Sequence, residues 1–160
     1  MPEMTLLGWF HTVMGVLAMA LAIVTLVRDR VFAFTSATGR PYLWVTVVVA
    51  GSALGIYNQS SFNIAHILAL LTLAAVLGGY VMERFQPVGA FSRYLQMLAY
   101  SATLLFHVIP AITDFLRRLP VGDPIIDSFE DPLLLQSYQV ALVLWFCLLV
   151  AQSVWLRRNG

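Results

Sequence analysis

Residues 62–82, FNIAHILALLTLAAVLGGYVM, run for 21 positions without a charged side chain. A helix of that length rises about 30 Å, which is the thickness of the hydrocarbon core of a bilayer. One imidazole, His66, lies near the start of the run. The stretch predicts a membrane-spanning helix with an ionisable group inside the membrane.

The composition of the whole chain agrees with a membrane protein. Its 160 residues are 60% hydrophobic and 11% charged, with a formal net charge of +1. Soluble domains carry about 25% charged residues, so an ordinary soluble domain and a disordered chain are both excluded. The near-neutral balance also argues against nucleic acid as a partner, because phosphate binding needs a basic field. Without repeats or linkers, residues 1–160 are expected to form one domain whose first partner is the lipid bilayer.

Five apolar segments in the chain are long enough to be considered as transmembrane helices. They are residues 5–27, 42–57, 62–82, 94–115 and 137–156. The second is the shortest, and only Asn58, Gln59, Ser60 and Ser61 separate it from the third. These residues favour turns and helix N-caps, so segments two and three predict an antiparallel hairpin. The expected fold is an all-α integral membrane bundle of five transmembrane helices.

Arginine placement predicts the orientation of the bundle. Seven of the nine arginines fall on one side of the five segments; they are Arg28, Arg30, Arg40, Arg84, Arg93, Arg157 and Arg158. The segment 117–135 on the other side carries four acidic residues against Arg117 and Arg118. The positive-inside rule then places the N-terminus outside and the C-terminus inside a bacterial inner (plasma) membrane. The outer segment 117–135 is expected to lie along the surface as irregular structure or a short interfacial helix.

All three histidines lie within predicted spans. From the outer ends of their helices, His11 is expected about 9 Å deep, His66 about 7 Å and His107 about 10–12 Å. Intramembrane ionisable residues are costly and default to functional roles. Their similar depth in the outer half of the bilayer predicts one histidine-lined site.

Helical spacing predicts that these histidines face the bundle interior. His11 belongs to a stripe of small residues at spacings of three and four, the pattern of close helix packing in lipid; its other members are Gly8, Gly15, Ala18, Ala22 and Thr25. The fourth span has a polar stripe at the same spacing: Tyr100, Thr103, His107, Pro110 and Asp114. Asn63 shares a face with His66, so Asn63, Tyr100, Thr103 and Asp114 are expected in a second shell or on a proton path.

Three chemistries could use such a cluster. His11, His66 and His107 could be ligands of a b-type haem, in which two imidazoles are axial and quinol is the redox partner. They could also bind a zinc or copper ion with an open coordination position. They could instead relay protons or line an ion transport path with no cofactor. Haem or metal redox chemistry is the favoured expectation, and a zinc-dependent membrane hydrolase is weaker because no Glu or Asp lies within a turn of a histidine on the same helix.

The chain also resembles a bacterial family of multi-span membrane proteins with intramembrane histidines. The resemblance rests on His11-x3-Gly15, Gly39-Arg40-x-Tyr42, His66 and the run from Phe106-His107 to Leu119-Pro120. That family is similar in helical plan to small b561-type cytochromes, and the resemblance implies a membrane bundle with interior histidines. The chain departs from the b561 plan because it lacks two histidine pairs at opposite depths.

A competing hypothesis from another class is structural. The protein would then be a small accessory subunit of a larger respiratory or photosynthetic complex, without a cofactor of its own. The histidines would be hydrogen-bonding core residues, and the acidic outer segment would be a docking surface.

Overall fold

A computed structural model describes residues 5–56 and 62–159, and this part of the chain is entirely helical and irregular, without strands. It contains five α helices: α1 Leu6–Arg28, α2 Gly39–Ala53, α3 Ile64–Phe85, α4 Ser92–Arg118 and α5 Pro132–Asn159. A short 3₁₀ turn, Gly89–Phe91, precedes α4. The predicted all-α fold is confirmed.

Four helices in the described residues are long and apolar enough to cross a membrane: α1, α3, α4 with its preceding turn, and α5. The predicted span 42–57 needs correction, because α2 has only 15 residues and rises about 22 Å, short of the hydrocarbon thickness of about 30 Å. Its end tightens into i→i+3 turns, in which Gly55 N–H donates to Ser52 O and Ile56 N–H to Ala53 O, both at 3.1 Å. The turn predicted at residues 58–61 lies outside the described residues.

The helices pack mostly against their neighbours in sequence. α1 packs on α2, α2 and α4 both pack on α3, and α5 packs mainly on α4. The predicted small-residue face of α1 is confirmed over its second half, where Ala18, Ala22 and Thr25 are fully buried. Small side chains let the two backbones approach closely, which is how helices associate in lipid.

The connection 29–38 between α1 and α2 enters the bundle instead of lying on its surface. Phe32 is fully buried and stacks on Tyr42 with ring centroids 4.6 Å apart. Its carbonyl accepts from Gln96 Nε2 of α4 at 3.3 Å, and the Arg30 carbonyl accepts from Gln152 Nε2 of α5 at 2.9 Å. These bonds bring the end of α1 and the starts of α2 and α4 to one end of the bundle, called here the basic end.

The opposite end, called here the acidic end, is covered by the segment 119–131. This segment is irregular, as predicted, and folds back on α4. Ile126 is buried, and its N–H donates to the Leu116 carbonyl at 3.2 Å. The Arg117 guanidinium lies 3.7 Å from the centroid of the Phe129 ring, a favourable cation–π contact.

Candidate functional site

A chain of buried polar side chains joins α2 and α4 in the middle of the bundle. His107 Nε2 lies 3.1 Å from Thr46 Oγ1, and Tyr42 Oη lies 2.7 Å from Thr103 Oγ1. Thr103 donates its hydroxyl proton to the Tyr100 carbonyl at 2.6 Å. A threonine has one hydroxyl proton, so Tyr42 must donate to Thr103. Each of these side chains is buried, and the predicted inward face of α4 is confirmed from Tyr100 to His107.

The direction of these bonds is fixed in one part of the cluster. Tyr42 donates to Thr103 and Thr103 to the Tyr100 carbonyl, so the donor order there follows from the partners. Between Thr46 and His107, the donor is set by which nitrogen of the imidazole carries the proton. Thr46 follows Tyr42 by one turn of α2, so the two pairs are neighbours on one helix face.

His11 is fixed on the neighbouring helix pair. Its Nδ1 lies 3.1 Å from the Val49 carbonyl oxygen and 3.0 Å from Ser52 Oγ. A carbonyl only accepts, so the neutral ring carries its proton on Nδ1 and presents Nε2 as a base or ligand. His11 and His107 lie near enough for their charges to interact, and so do His11 and Asp114 of α4. Two of the three predicted histidines thus lie in the same part of the bundle.

His66 has a local structural role at the start of α3. Its Nδ1 accepts from the Asn63 backbone N–H at 3.2 Å, and Asn63 Oδ1 accepts from the Ala65 N–H at 2.9 Å. Together these bonds form a capping box, in which the histidine occupies the position usually held by Glu or Gln. The ring also stacks on Phe62 with centroids 5.2 Å apart. Asn63 is therefore a helix cap in this structure.

The hydrogen-bond registers separate the three histidines along the bundle. His107 is level with Thr46, and His11 with Val49–Ser52, which places His11 about 5–9 Å nearer the acidic end. Tyr100 of α4 is level with the Gly79–Glu83 turn of α3, so His66 lies about 10–15 Å beyond His107 in the same direction. The expected common depth is therefore wrong, because it was counted from helix ends that are themselves staggered.

Asp114 stands at the end of the polar stripe but is exposed. Its Oδ1 accepts from Arg118 Nε at 3.1 Å, in an i,i+4 ion pair on the surface of α4. Pro110, which also belongs to the stripe, is exposed as well. The inward polar face of α4 therefore ends at His107, and Asp114 lies at the acidic mouth of the bundle.

Sequence reasoning missed a second polar cluster, centred on Glu83 near the end of α3. Its carboxylate accepts from the backbone N–H groups of Phe34 and Thr35, both at 2.9 Å, and from Thr35 Oγ1 at 2.8 Å. The Tyr100 hydroxyl donates to the same carboxylate at 2.9 Å. Tyr100 therefore belongs to both clusters, since its carbonyl accepts from Thr103 and its phenol donates to Glu83.

An aromatic cage holds the connection beside this carboxylate. The Phe34 ring makes edge contacts with Trp44, Tyr80 and Tyr100, with centroids 5.6–5.9 Å apart. Edge-to-face pairs of this kind add to the stabilisation from burial. Phe34 therefore closes the basic end of the bundle where α2, α3 and α4 meet.

One carboxyl group outside the spans has a shifted pKa. Hydrogen bonds from Thr38 and Ser36 hold the pKa of Asp29 below its ordinary value of 3.8, and Arg28 acts in the same direction. The Thr38 hydroxyl donates to Asp29 Oδ2 across the connection. The ionised carboxylate thus ties the end of α1 to the start of α2.

Within residues 5–56 and 62–159, no group of three or more His, Cys, Asp and Glu side chains is arranged to hold a metal ion. The ligand set expected from His11, His66 and His107 is divided between a central pair and a helix cap. No protein-family model, curated protein sequence or solved structure matches the chain. The site is therefore interpreted from its own geometry.

Proposed function

We propose that this protein transfers protons through its helical bundle, with His11 and His107 as the groups that take up and release them. The observation that carries the proposal is the buried row of hydrogen-bonded side chains in which His107 contacts Thr46 and Tyr42 contacts Thr103, one turn apart on α2. Such a series can pass a proton by reversing each donor in turn, and imidazole is the side chain that titrates near neutral pH. Intramembrane histidines facing a bundle interior are a common feature of proton relays.

The proposed route enters from the acidic end. Asp114 is exposed there, and His11, whose charge interacts with those of Asp114 and His107, is the next titratable group on the route. The side-chain bonds end at the Tyr100 carbonyl, which has no proton to pass on, whereas the Tyr100 phenol donates to Glu83 at the basic end. The proposed route therefore includes a water molecule at this point, which takes a proton from the Thr103 hydroxyl and gives one to the Tyr100 phenol as the phenol releases its own proton to Glu83.

The proposal includes the orientation predicted from the arginines. The N-terminus lies outside and the C-terminus inside, and the acidic end faces outward in a bacterial inner membrane. The proposal also keeps the five predicted crossings, of which α2 belongs to the second. The relay then exchanges protons with the exterior first.

Proton flux into liposomes tests this function. The purified protein is reconstituted with a pH-sensitive dye inside the vesicles, and a pH step is applied outside. We expect His107→Gln and His11→Gln to lower the protein-dependent flux at least tenfold, because glutamine keeps a hydrogen bond but does not titrate. Tyr100→Phe should lower it similarly.

The matched control is His66→Gln, since His66 caps α3 and lies off the route. Its flux should stay close to that of the parent protein. The proposal is wrong if vesicles containing the parent protein acidify no faster than protein-free vesicles, or if His107→Gln and His66→Gln behave alike.

Cofactor binding is the second candidate. One observation favours it: His11 bonds a backbone carbonyl through Nδ1, which is how ligating histidines are commonly oriented with Nε2 toward a metal. A b-type haem bound by His11 and His107, or a zinc or copper ion, would require His107 to exchange its contact with Thr46. His66, offset and engaged in a cap, does not fit the same ion.

An optical spectrum and elemental analysis of the purified protein test this candidate. A Soret band that disappears in His11→Ala, or stoichiometric zinc or copper, would support it, together with the resemblance to b561-type cytochromes. A colourless and metal-free protein would exclude it while leaving the proton-transfer proposal intact.

A further inference from the structure

An apolar cleft on the flank of the bundle has no part in the polar clusters. It has a volume of about 760 Å³ and lies between α4 and α5, with Met19 of α1 on its far side. It runs along α4 from Leu104 to Leu116, and its polar side chains, Gln136 and Ser137, lie near the start of α5. Its volume is within the usual range of ligand sites, about 300–1,000 Å³.

The length of the cleft matches one leaflet of the bilayer. The stretch from Leu104 to Leu116 rises about 18 Å, close to the depth of one leaflet of a hydrocarbon core about 30 Å thick. A hydrocarbon chain of a lipid in that leaflet covers the same depth, so it can follow the cleft from end to end.

Charge is concentrated at one end of the cleft. Ala111 and Phe115 line it, and Arg118 continues the same face of α4 at the next helical spacing of three. Arg118 Nε donates to the Asp114 carboxylate at 3.1 Å in an ion pair, and within the described residues its two terminal nitrogens make no hydrogen bond. Arginine matches phosphate geometry well, because its donors form a planar fork.

We propose that the cleft binds one chain of a phospholipid from the leaflet at the acidic end, with Arg118 and Gln136 holding the phosphate. An apolar slot that is polar at one end only matches an amphiphile with a single head. Arg118 is one of only two arginines predicted on this side of the membrane. The positive-inside rule does not explain an arginine there, whereas phosphate binding does. The site is independent of the proton-transfer proposal.

Trp145 lines the cleft and can report its occupation. A variant that keeps Trp145 as its single tryptophan is prepared in detergent and titrated with phosphatidylglycerol brominated on its acyl chains, which quenches nearby indole fluorescence. We expect quenching to saturate at a low lipid fraction. A parallel variant that keeps only Trp44, whose side chain is 59% exposed, reports ordinary boundary lipid and should be quenched in proportion to the brominated fraction.

Two substitutions distinguish binding of the lipid's acyl chain from binding of its phosphate head group. Arg118→Gln should raise the half-saturating lipid concentration about tenfold, as expected for losing one charge-assisted contact, without changing quenching by a brominated maltoside detergent. Ala111→Phe should remove the saturable component for both probes. Its control is Ala74→Phe, the same change at an exposed position of α3.

Three results would overturn the assignment. Linear quenching of Trp145 that matches Trp44 would mean boundary lipid only. Equal quenching of the Arg118→Gln and parent proteins would remove the phosphate contact. Shielding of Trp145 that grows with protein concentration, together with cross-linked dimers, would assign the cleft to a second copy of the chain.

Discussion

Glu83→Ala is expected to release the connection 29–38 from the basic end of the bundle. The carboxylate accepts four hydrogen bonds, and alanine leaves the donors of Phe34, Thr35 and Tyr100 without their acceptor. The two bonds from Thr35 are exposed, whereas those from Phe34 and Tyr100 are partly buried. The perturbation therefore acts on a local lock and not on the apolar core.

The magnitude follows from the partners. Hydrogen bonds to a charged group contribute about 1.5–3 kcal/mol each when buried, and exposed ones less. Two partly buried bonds and two exposed bonds together give a loss of about 3–5 kcal/mol for Glu83→Ala. Glu83→Gln keeps one acceptor oxygen and should lose about 1–3 kcal/mol. Since proteins are stable by about 5–15 kcal/mol, the alanine variant should be close to the limit of folding.

Hydrogen exchange measures this effect where it occurs. In detergent micelles, protection of the Phe34 and Thr35 amides should fall by about a hundredfold or more in Glu83→Ala, while amides in the middle of α3 change less. Glu130→Gln is the matched control, because Glu130 is an exposed carboxylate of the segment 119–131. Unchanged protection of both amides in Glu83→Ala, in a protein that unfolds at the parent temperature, would refute the lock.

Two further predictions concern neighbouring sites. A methyl group at Gly79 would overlap the Tyr100 ring, whereas nothing lies within 4 Å of a methyl group at Gly78. Gly79→Ala should therefore lower the free energy of unfolding by about 1–3 kcal/mol, while Gly78→Ala should be neutral or stabilising by up to about 1 kcal/mol. Equal effects of the two substitutions in thermal unfolding would contradict the contact. The lowered pKa of Asp29 means that its ionised form stabilises the fold above its ordinary value of 3.8 and that this contribution disappears as the pH falls through the lowered pKa. Asp29→Asn should therefore be less stable than the parent at pH 7 and equal to it in strong acid, and a difference that persists in acid would exclude the carboxylate as its cause.

Local properties of the sequence were enough to predict the helices and their inner faces. Hydropathy marks each long helix, and spacings of three and four mark the faces that bury Ala18, Ala22 and His107. Both signals depend on residues within one helix, so they need no knowledge of its partners. The length of α2 was misjudged because residues 54–56 are as apolar as a helix but form its tightening turn.

Contacts between distant segments could not be predicted from these local signals. Glu83 bonds residues 48 and 49 positions away, and nothing in the connection 29–38 signals that it enters the bundle. The predicted common depth of the histidines was missed for the same reason, because the stagger of the helices is set by partners such as Thr46 and Val49. A local signal did exist for His66, because Asn63 stands three residues before it, which is the spacing of a capping box.

Tyr100 is the residue through which the two halves of the molecule act on each other. Its ring packs on Gly79, its carbonyl accepts from Thr103, and its phenol completes the lock on Glu83. The Phe34 ring packs against the same side chain at the basic end of the bundle. Tyr100→Phe keeps the packing and the carbonyl but removes the phenol. A loss of flux without loss of the Gly79 contact would therefore separate proton transfer from packing, which replacing Glu83 cannot do.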